Sequence, residues 1–328
     1  MPGDRRGRYL LRGAGGFLGS HLASRLAPRS ELLRLFVRHA ERLPVPLHVD
    51  PRVEVIEADI MDEGAVEASL ESIDTVLEFV GATFPATPHA TLRLELDVNL
   101  RPLTVLLEAM AARRTPRILF PSSGGAVYGL TPSDPVSETA PLRPESAYGM
   151  GKALAEEILR FHARRHRIEP VIVRMSNPYG KTSPATSAQG VIDVFLHRIR
   201  QGLPIEVWGD GSQVRDYIFI DDVMDALVLV LDRCSGGEVI NIGTGVGHSL
   251  NDVIATIETI TGGVSVRKSR SDVYAGIPCS TLNIDKIRSM GWAPRFDLVA
   301  GIRETWTRIG GEPSRDPSDG PAPLRRKD

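Results

Sequence analysis

The 328-residue chain has little of several features that would narrow its function at once. Its two cysteines, Cys234 and Cys279, lie far apart and form no CxxC pattern. We therefore expect free thiols in a reducing cytoplasm rather than a disulfide framework. The formal net charge is only −2, which gives no electrostatic reason to expect nucleic acid or an anionic membrane as a partner.

Long apolar runs are also missing. No stretch approaches the roughly 18 apolar residues that span a bilayer, and the charged segment Met1–Leu10 leads directly into a strand. We therefore expect a cytoplasmic protein with no signal peptide and no membrane partner. Hydrophobic residues make up 42% of the chain, which is ordinary for a globular protein of one large or two modest domains.

Residues 1–176 alternate short strand patterns with helical patterns, which predicts parallel βαβ units in an α/β fold, a Rossmann doubly wound sheet. The predicted strands are Arg8–Leu11, Leu32–Val37, Val53–Ile56, Thr75–Val80, Arg117–Pro121 and Pro170–Met175. The predicted helices between them include Leu18–Leu26, Val66–Leu70, Asn99–Ala112 and Tyr148–His166.

The alternation breaks at Asn177. Residues 177–310 are predicted to form mainly a smaller α+β substrate-binding domain, with a helix near Asp221–Leu231 and a strand at Val239–Ile242 returning to the Rossmann part. Residues 311–328 are rich in Pro, Arg and Asp, so we expect a disordered tail.

A glycine-rich turn follows the first strand and opens a helix. Gly13, Gly16 and Gly19 give a GxxGxxG spacing, and Phe17 and Leu18 stand at the start of the helix. Glycine permits the tight turn and lets the backbone approach a pyrophosphate, which the free N–H groups of the helix N-terminus then bind. The pattern predicts a dinucleotide site.

The second strand ends without the acidic residue that binds the adenosine ribose of NAD. Val37 holds that place and Arg38 follows. An arginine here favours a 2′-phosphate, so NADP(H) is preferred over NAD(H); the alternative is a solvated Arg38 that binds nothing. Asp59 and Ile60, after the third strand, are placed to contact adenine, although Asp59 equally suits a helix N-cap.

Tyr148 and Lys152 form a YxxxK motif. On a helix the two side chains share one face, and a cation beside the phenol lowers its pKa toward the working range. Tyr148 then exchanges a proton with a sugar oxygen while Lys152 also holds the nicotinamide ribose. Ser122 and Ser123, at the end of the fifth strand, are candidate hydrogen-bond partners for the substrate.

These blocks resemble the extended short-chain dehydrogenase/reductase family, the nucleotide-sugar epimerases and dehydratases typified by UDP-glucose 4-epimerase. The resemblance covers roughly residues 8–308. Its blocks are GAGGFLGSHL (13–22), SSGGAVYG (122–129), SAYGMGK (146–152), RMSNPYG (174–180), WGDGSQVRDYIFIDDV (208–223), NIGTG (241–245) and LNIDKIRSMGWAP (282–294).

The resemblance implies roles for further residues. Asn177 and Arg215 contact the nucleotide diphosphate, Arg270 supplies a second arginine there, and Asn99 lies beside the catalytic tyrosine and the cofactor. A guanidinium pairs bidentately with phosphate oxygens, although Arg215 has an alternative as an ion-pair partner of Asp216 or Asp221. The family also implies a homodimer through the helices near 99–112 and 146–166.

The chain departs from the family pattern at several positions. Gly124 stands where the family has its catalytic Ser or Thr, so the role of the adjacent Ser123 is open. Gly125 and Ala126 replace the Asp–Glu pair of dehydratases, which argues against that activity. Glu78 stands where a histidine is usual, and Arg12 where a threonine is.

Two enzyme hypotheses remain, and both use Tyr148 and Lys152 on a nucleotide-diphosphate sugar. Our first is an NADPH-dependent 4-ketoreductase of a 4-keto-deoxyhexose, which Arg38 favours. The alternative is an NAD-dependent 4-epimerase, which the whole-chain resemblance favours. A third class, a non-catalytic NADP-binding regulator, has no need of YxxxK. His162 and His166 have metal-compatible spacing but lie in a basic helix end, so we expect no metal.

Overall fold

The computed structural model describes residues 7–85, 87, 90–130, 135–182, 190–269 and 277–312. The strands are β1 (Arg8–Arg12), β2 (Leu32–Val37), β3 (Val53–Glu57), β4 (Thr75–Glu78), β5 (Arg117–Ser123), β6 (Glu169–Met175), β7 (Asn177–Tyr179), β8 (Ile205–Trp208), β9 (Val214–Phe219), β10 (Val239–Ile242), β11 (Gly247–Ser249), β12 (Val266–Ser269) and β13 (Cys279–Ser280).

The α-helices are α1 (Phe17–Leu26), α2 (Val45–Val49), α3 (Glu63–Ser69), α4 (Leu92–Glu95), α5 (Arg101–Arg113), α6 (Gly124–Val127), α7 (Ala147–His166), α8 (Val191–Arg200), α9 (Ile220–Arg233), α10 (Leu250–Thr261), α11 (Asp285–Ser289) and α12 (Leu298–Arg308). Two 3₁₀ turns, Ala27–Arg29 and Ala40–Arg42, and a π-helix, Leu96–Leu100, complete the described helical elements.

The main sheet has seven parallel strands in the order β10-β6-β5-β4-β1-β2-β3. The chain starts in the middle at β1, winds outward to β3, and then returns to the other side through β4. This is the predicted Rossmann doubly wound sheet, which is confirmed. The switch in winding direction between β1 and β4 opens a crevice at the carboxyl ends of the strands.

Both faces of this sheet are covered, because its strands bury side chains on either side. One apolar cluster, which includes Leu10, Phe36 and Phe120, packs under α3, α5 and α7. A larger cluster covers the opposite face and continues into the second part of the chain. Helix α7 starts where the Ser146 hydroxyl accepts from the Gly149 N–H at 3.0 Å, which is an N-cap.

The second part of the chain builds smaller sheets beside the carboxyl edge. Strand β9 pairs with β11, β13 and β7, and β8 pairs with β12. Helix α9 packs on α1, and β10 then joins the main sheet beside β6. The described part of the chain therefore returns to the Rossmann layer after β9.

Several element boundaries differ from the prediction by one to three residues. Strand β4 ends at Glu78 rather than Val80, because the chain turns there to line the crevice. The helix expected from Asn99 begins at Arg101 and is preceded by a π-helix. A disordered tail is expected from Gly311, but Gly311 and Glu312 lie within the described residues, and the Trp306 indole donates to the Glu312 carbonyl at 2.9 Å. Residues 313–328 lie outside the described residues.

Cys234 is buried, Cys279 is half-buried, and both are free thiols. Among the helices that the structure describes, none has the length and apolar character needed to cross a membrane.

Candidate active site

The glycine loop between β1 and α1 requires glycine at its first and last positions. Gly13 has φ +82°, and a Cβ there would lie 2.5 Å from the Phe79 carbonyl oxygen. A Cβ on Gly19 would meet the Gly13 carbonyl. The Gly16 N–H donates to that same carbonyl at 3.0 Å, and no side chain caps α1. The N-terminal amides of a ten-residue helix therefore face the crevice, as anion binding requires.

A cleft of about 610 Å³ runs from this loop along the ends of β2 and β3. Arg38, His39, Arg42, Asp59 and Ile60 line it, and Arg38 and Arg42 are exposed. The Asp59 carboxylate accepts from the Met61 N–H at 2.8 Å. The cap of α3 is instead Asp62, so Asp59 is not the N-cap that its sequence position allowed. The cleft wall is mainly basic at the β2 end.

Asn99 lies in the π-helix, behind the loop that follows β4. Its Oδ1 accepts from the Ala82 N–H at 3.0 Å. Its Nδ2 donates to Thr83 Oγ1 at 2.8 Å and to Glu95 Oε2 at 2.7 Å. Asn99 therefore fixes the loop that lines the crevice, while Glu95 is buried and holds Asn99 in place. An insertion of π-helix at such a point is common near functional sites.

Tyr148 and Lys152 lie one turn apart at the start of α7, and both line the central cleft of about 400 Å³. The Lys152 ammonium donates to the Pro121 carbonyl at 2.9 Å and lies 4.8 Å from the Phe120 ring centroid. Burial raises the pKa of Tyr148 to about 12, with a smaller contribution from Glu95, while a hydrogen bond with Ser123 opposes it. The prediction that Lys152 lowers the pKa of Tyr148 toward neutrality is therefore wrong for the protein without cofactor. Burial lowers the pKa of Lys152 to about 8.

At position 124, where the family has its catalytic Ser or Thr, the Leu282 side chain occupies the space that a longer side chain would need. A Cβ on Gly124 would lie 2.6 and 2.8 Å from the two methyl carbons of Leu282, and Leu282 is buried. A serine at this position has no room unless Leu282 moves. Ser123, the last residue of β5, instead supplies a hydroxyl to Tyr148. Its neighbour Ser122 is turned away and donates to the buried Glu156 at 2.7 Å.

A third cleft, of about 300 Å³, lies on the side of the second part of the chain. Asn177 and Arg215 line it with Gln213 and Tyr217. The Asn177 amide donates to the Asp216 carbonyl at 2.9 Å. Arg270 lies outside the described residues.

Arg215 forms neither of the ion pairs that were its alternative. Asp216 is buried and accepts from the N–H groups of Thr244 and Gly245 at 2.8 and 3.1 Å. Asp221 pairs with Arg308 at 2.7 Å. The Arg215 guanidinium donates to the Val214 carbonyl at 2.7 Å, and among the described residues its other donors have no recorded partner and suit an anion.

The central cleft and the third cleft share Ser123 and Tyr148. The glycine loop, at one end, is suited to a pyrophosphate, and Asn177 and Arg215, at the other end, are suited to a second one. The phenol of Tyr148 lies where the two clefts meet. Two phosphate-bearing molecules bound in these clefts would bring their far ends together at this tyrosine.

The family comparison agrees with this geometry. The model of the NAD dependent epimerase/dehydratase family matches residues 9–243. The chain belongs to this family. It is thus a member of a family of nicotinamide-dependent enzymes of the short-chain dehydrogenase type, as the sequence predicted.

Relatives that are named for different reactions have similar sequence identity to this chain. UDP-glucose 4-epimerase of Mycolicibacterium smegmatis is 30% identical over 304 residues, which cover 91% of this chain and 97% of the relative. dTDP-4-dehydro-6-deoxyglucose reductase of Escherichia coli is 31% identical over 235 residues, 71% of this chain and 74% of the relative. The crystal structure of UDP-glucose 4-epimerase from Thermotoga maritima with UDP-glucose has a TM-score of 0.83 at 27% identity, covering 92% of this chain and 98% of that one.

Several residues that line the clefts of this family member were not predicted from the sequence. Arg42 could have been predicted as a cofactor-cleft residue, because it follows Arg38 by four residues and a short turn after a parallel strand returns its side chain to the strand end. Lys181 and Asp193 also line the central cleft. Lys181 follows β7 in an irregular segment, and Asp193 lies in the first turn of α8. Asp193 is buried and accepts from the N–H groups of Gly180 and Lys181 at 2.9 and 3.1 Å.

Proposed function

We propose that the enzyme catalyses hydride transfer at C4 of a nucleotide-diphosphate sugar, with Tyr148 as the group that exchanges the proton. The observation that carries this proposal is the meeting of the two clefts at Tyr148 and Ser123. Proton transfer by a positioned side chain requires hydrogen-bond reach to the reacting oxygen. A sugar oriented from its diphosphate reaches Tyr148 from one side, and the cofactor cleft reaches it from the other.

The residues present fit a nicotinamide dinucleotide. Gly13 and Gly19 permit the tight turn, because a Cβ at either position would collide with the backbone, and the amides at the start of α1 face the crevice. Arg38, Arg42, Asp59 and Ile60 would surround the adenosine end, and Lys152 would hold the nicotinamide ribose. When bound, this cofactor supplies or accepts the hydride.

The protonation state of Tyr148 favours reduction of a ketone. With a pKa of about 12, the phenol carries its proton at neutral pH and donates it to the oxygen of a 4-keto sugar as that oxygen gains charge. Ser123 donates its own hydrogen bond to the phenolate that remains. Lys152, whose ammonium lies on the same helix face, stabilises that negative charge.

The cofactor cleft favours NADP(H). Arg38, His39 and Arg42 line the β2 end, where Val37 replaces the acidic residue that binds a ribose hydroxyl. Arginine side chains pair with phosphate bidentately, so they distinguish a 2′-phosphate from a hydroxyl. Our first candidate is therefore an NADPH-dependent 4-ketoreductase of a nucleotide-linked 4-keto-deoxyhexose, the reaction class that the E. coli relative's name describes.

An NAD-dependent 4-epimerase is the second candidate. The M. smegmatis and T. maritima proteins are named UDP-glucose 4-epimerases, and both match more than 90% of the chain. Such an enzyme retains NAD through each turnover, whereas a reductase exchanges NADPH.

The first experiment is to denature the purified protein, identify any nucleotide released, and titrate the empty protein with NADPH and NADH. An empty protein that prefers NADPH supports the reductase; near-stoichiometric NAD that survives dialysis contradicts it and supports the epimerase.

The double variant Arg38→Ser/Arg42→Ser should weaken NADPH binding at least about tenfold and leave NADH binding unchanged. Arg288→Ser, at an exposed site on α11, is the matched control.

We also propose a cytoplasmic homodimer, because exposed apolar side chains lie on or beside the two helices that the family uses. Leu96, Met150 and Phe161 are 47%, 38% and 49% exposed. Burial of such a set is typical of a subunit interface. Light scattering after size-exclusion chromatography gives the mass, and a monomer would contradict this proposal.

A further inference from the structure

Three neighbouring strands place a charged pair inside the sheet layer, close to the catalytic helix. The register aligns Phe36 of β2, Arg12 of β1 and Glu78 of β4 side by side. Arg12 Nε lies 3.4 Å from Glu78 Oε2, and the guanidinium lies 5.7 Å from the Phe36 ring centroid. Arg12 is 0% exposed and Glu78 is 4% exposed. Charged groups are almost never buried this fully unless they are paired.

The polar atoms of the Arg12–Glu78 pair lack the hydrogen bonds that a stabilising buried ion pair needs. Within the described residues, no hydrogen-bond partner reaches any of the three guanidinium nitrogens of Arg12 or Glu78 Oε2. Desolvation of a buried ion pair costs more than the pair returns unless further hydrogen bonds satisfy it, and apolar residues often replace such pairs without loss of stability. Stabilisation of the fold is therefore a weak explanation for these two residues.

Their neighbour on the other side is Lys152. Strand β5 pairs with β4 in register up to Leu77 and Leu119, so the following residue, Phe120, lies beside Glu78. The Lys152 ammonium lies over the Phe120 ring and is bonded to the Pro121 carbonyl. Positive, negative and positive charges thus follow one another along the carboxyl edge of the sheet, from Arg12 through Glu78 to Lys152.

We propose that Glu78, kept ionised by Arg12, is the buried counter-ion of Lys152 and a positioning residue of the catalytic pair. The proposal deepens the proposed function, because it assigns Glu78 a task through the role of Lys152. An arginine and a glutamate at these positions replace the threonine and histidine usual in the family.

Other charged groups also face Lys152 and must be counted. Glu95 approaches from α4 and Glu156 from α7, and with Glu78 they oppose the lowering of the pKa of Lys152 by burial, Glu78 most strongly. Glu95 is bound by Asn99. Glu156 is paired with both Arg160 and Arg174, which neutralise it.

The pKa of Glu78 itself is raised by burial, and Arg12 is the main group that opposes this, followed by Lys152. Arg12 is therefore the group that most favours the charged carboxylate. Glu78 has this one arginine partner at 3.4 Å, whereas Glu156 is paired with two arginines.

The test measures the titration of Lys152 directly in the protein without substrate or cofactor. Trace acetic anhydride labels neutral amines, and mass spectrometry of the peptide that contains Lys152 gives the extent of labelling from pH 6 to 11. In Glu78→Gln the titration midpoint should move to lower pH by about one unit, so labelling of Lys152 at pH 6.5 should rise about tenfold. Glu78→Asp, which keeps the charge, should restore most of the native midpoint. Glu157→Gln, on the exposed side of the same helix, is the matched control and should not move it.

An unchanged midpoint in folded Glu78→Gln overturns the proposal, as does an equal shift in Glu157→Gln. If Glu78→Gln does not fold, Arg12→Leu/Glu78→Leu removes the pair without leaving one charge buried, and the same lowered midpoint is expected from it. Because the labelling involves no turnover, it can fail while the enzyme is still a reductase or an epimerase. Loss of activity in Tyr148→Phe tests that separate question.

Discussion

Replacing Ser123 by alanine tests whether this serine has taken over the role of the missing family hydroxyl. Its hydrogen bond is the interaction that opposes the raised pKa of Tyr148, and the bond strengthens when the phenol becomes a phenolate in the transition state. A hydrogen bond to a charged group contributes about 1.5–3 kcal/mol. We therefore expect Ser123→Ala to lower kcat by about 10- to 150-fold, with little change in KM.

The assay is steady-state turnover of the nucleotide sugar that the enzyme accepts, followed at the nicotinamide absorbance from pH 6 to 10. The pKa of Tyr148 rises further without Ser123, so any alkaline limb that depends on the phenolate should move to higher pH. Ser122→Ala is the control, because that hydroxyl is bonded to Glu156 instead. If kcat of Ser123→Ala stays within about threefold of the native value, Ser123 is not the replacement.

The complementary change restores the family residue. Gly124→Ser should lower the free energy of unfolding by about 1–3 kcal/mol, because its Cβ overlaps Leu282 and the core cannot expand freely. It should not rescue Ser123→Ala on its own. Adding Leu282→Ala opens the space, and partial recovery of kcat in the triple variant would show that the position of the hydroxyl, not the residue number, is what matters. A stable Gly124→Ser protein would refute the steric argument.

Three further predictions concern the remaining groups. Tyr148→Phe should lower turnover at least about a hundredfold and leave nicotinamide binding by fluorescence titration intact; unchanged function in vivo would instead indicate a regulator. Arg215→Ala should raise KM for the nucleotide sugar about 10- to 100-fold with a smaller effect on kcat, since it removes a bidentate phosphate contact; an unchanged KM contradicts the site. Burial raises the pKa of Asp193 to about 6 from 3.8, so the folded chain binds this proton more tightly than the unfolded chain and stability is lost as pH rises through that range. Asp193→Asn should therefore unfold later than the native protein at pH 8, by up to about 3 kcal/mol in urea titrations, and should show no advantage near pH 4; an equal difference at both values contradicts the assignment.

The Rossmann half of the fold could be predicted because its signals are local. Apolar runs, a glycine turn and amphipathic helices are each read from fewer than about 20 residues. The second half could not be resolved in the same way. Strand β9 pairs with β7, β11 and β13, which come from distant parts of the chain, and strands of two or three residues give no periodicity to detect.

The residues of the candidate site also fall into those whose proximity follows from sequence spacing and those brought together only by the tertiary fold. Tyr148 and Lys152 are one helical turn apart, so their proximity follows from sequence spacing. The relation between Gly124 and Leu282 does not, because the two residues are 158 positions apart and meet only through the tertiary fold. The same holds for Arg12 and Glu78: the sequence marked both as departures from the family, but only the strand register shows that they lie side by side.

The pKa values of Tyr148 and Lys152 indicate which half-reaction is faster at neutral pH. Burial favours the neutral forms of both Tyr148 and Lys152. An enzyme that begins by oxidising a sugar hydroxyl needs the phenolate, and reaching it at pH 8 from a pKa of about 12 costs about 5 kcal/mol before any compensation. A reductase starts from the protonated phenol and need not deprotonate it first, although the raised pKa also makes the phenol a weaker proton donor. If Glu78 keeps Lys152 charged, the ammonium lowers the energy of the phenolate in either direction, so the same counter-ion assists proton donation and makes the reverse step accessible. We therefore expect reduction of a 4-keto sugar to be the faster half-reaction at neutral pH, and oxidation to gain on it as the pH rises.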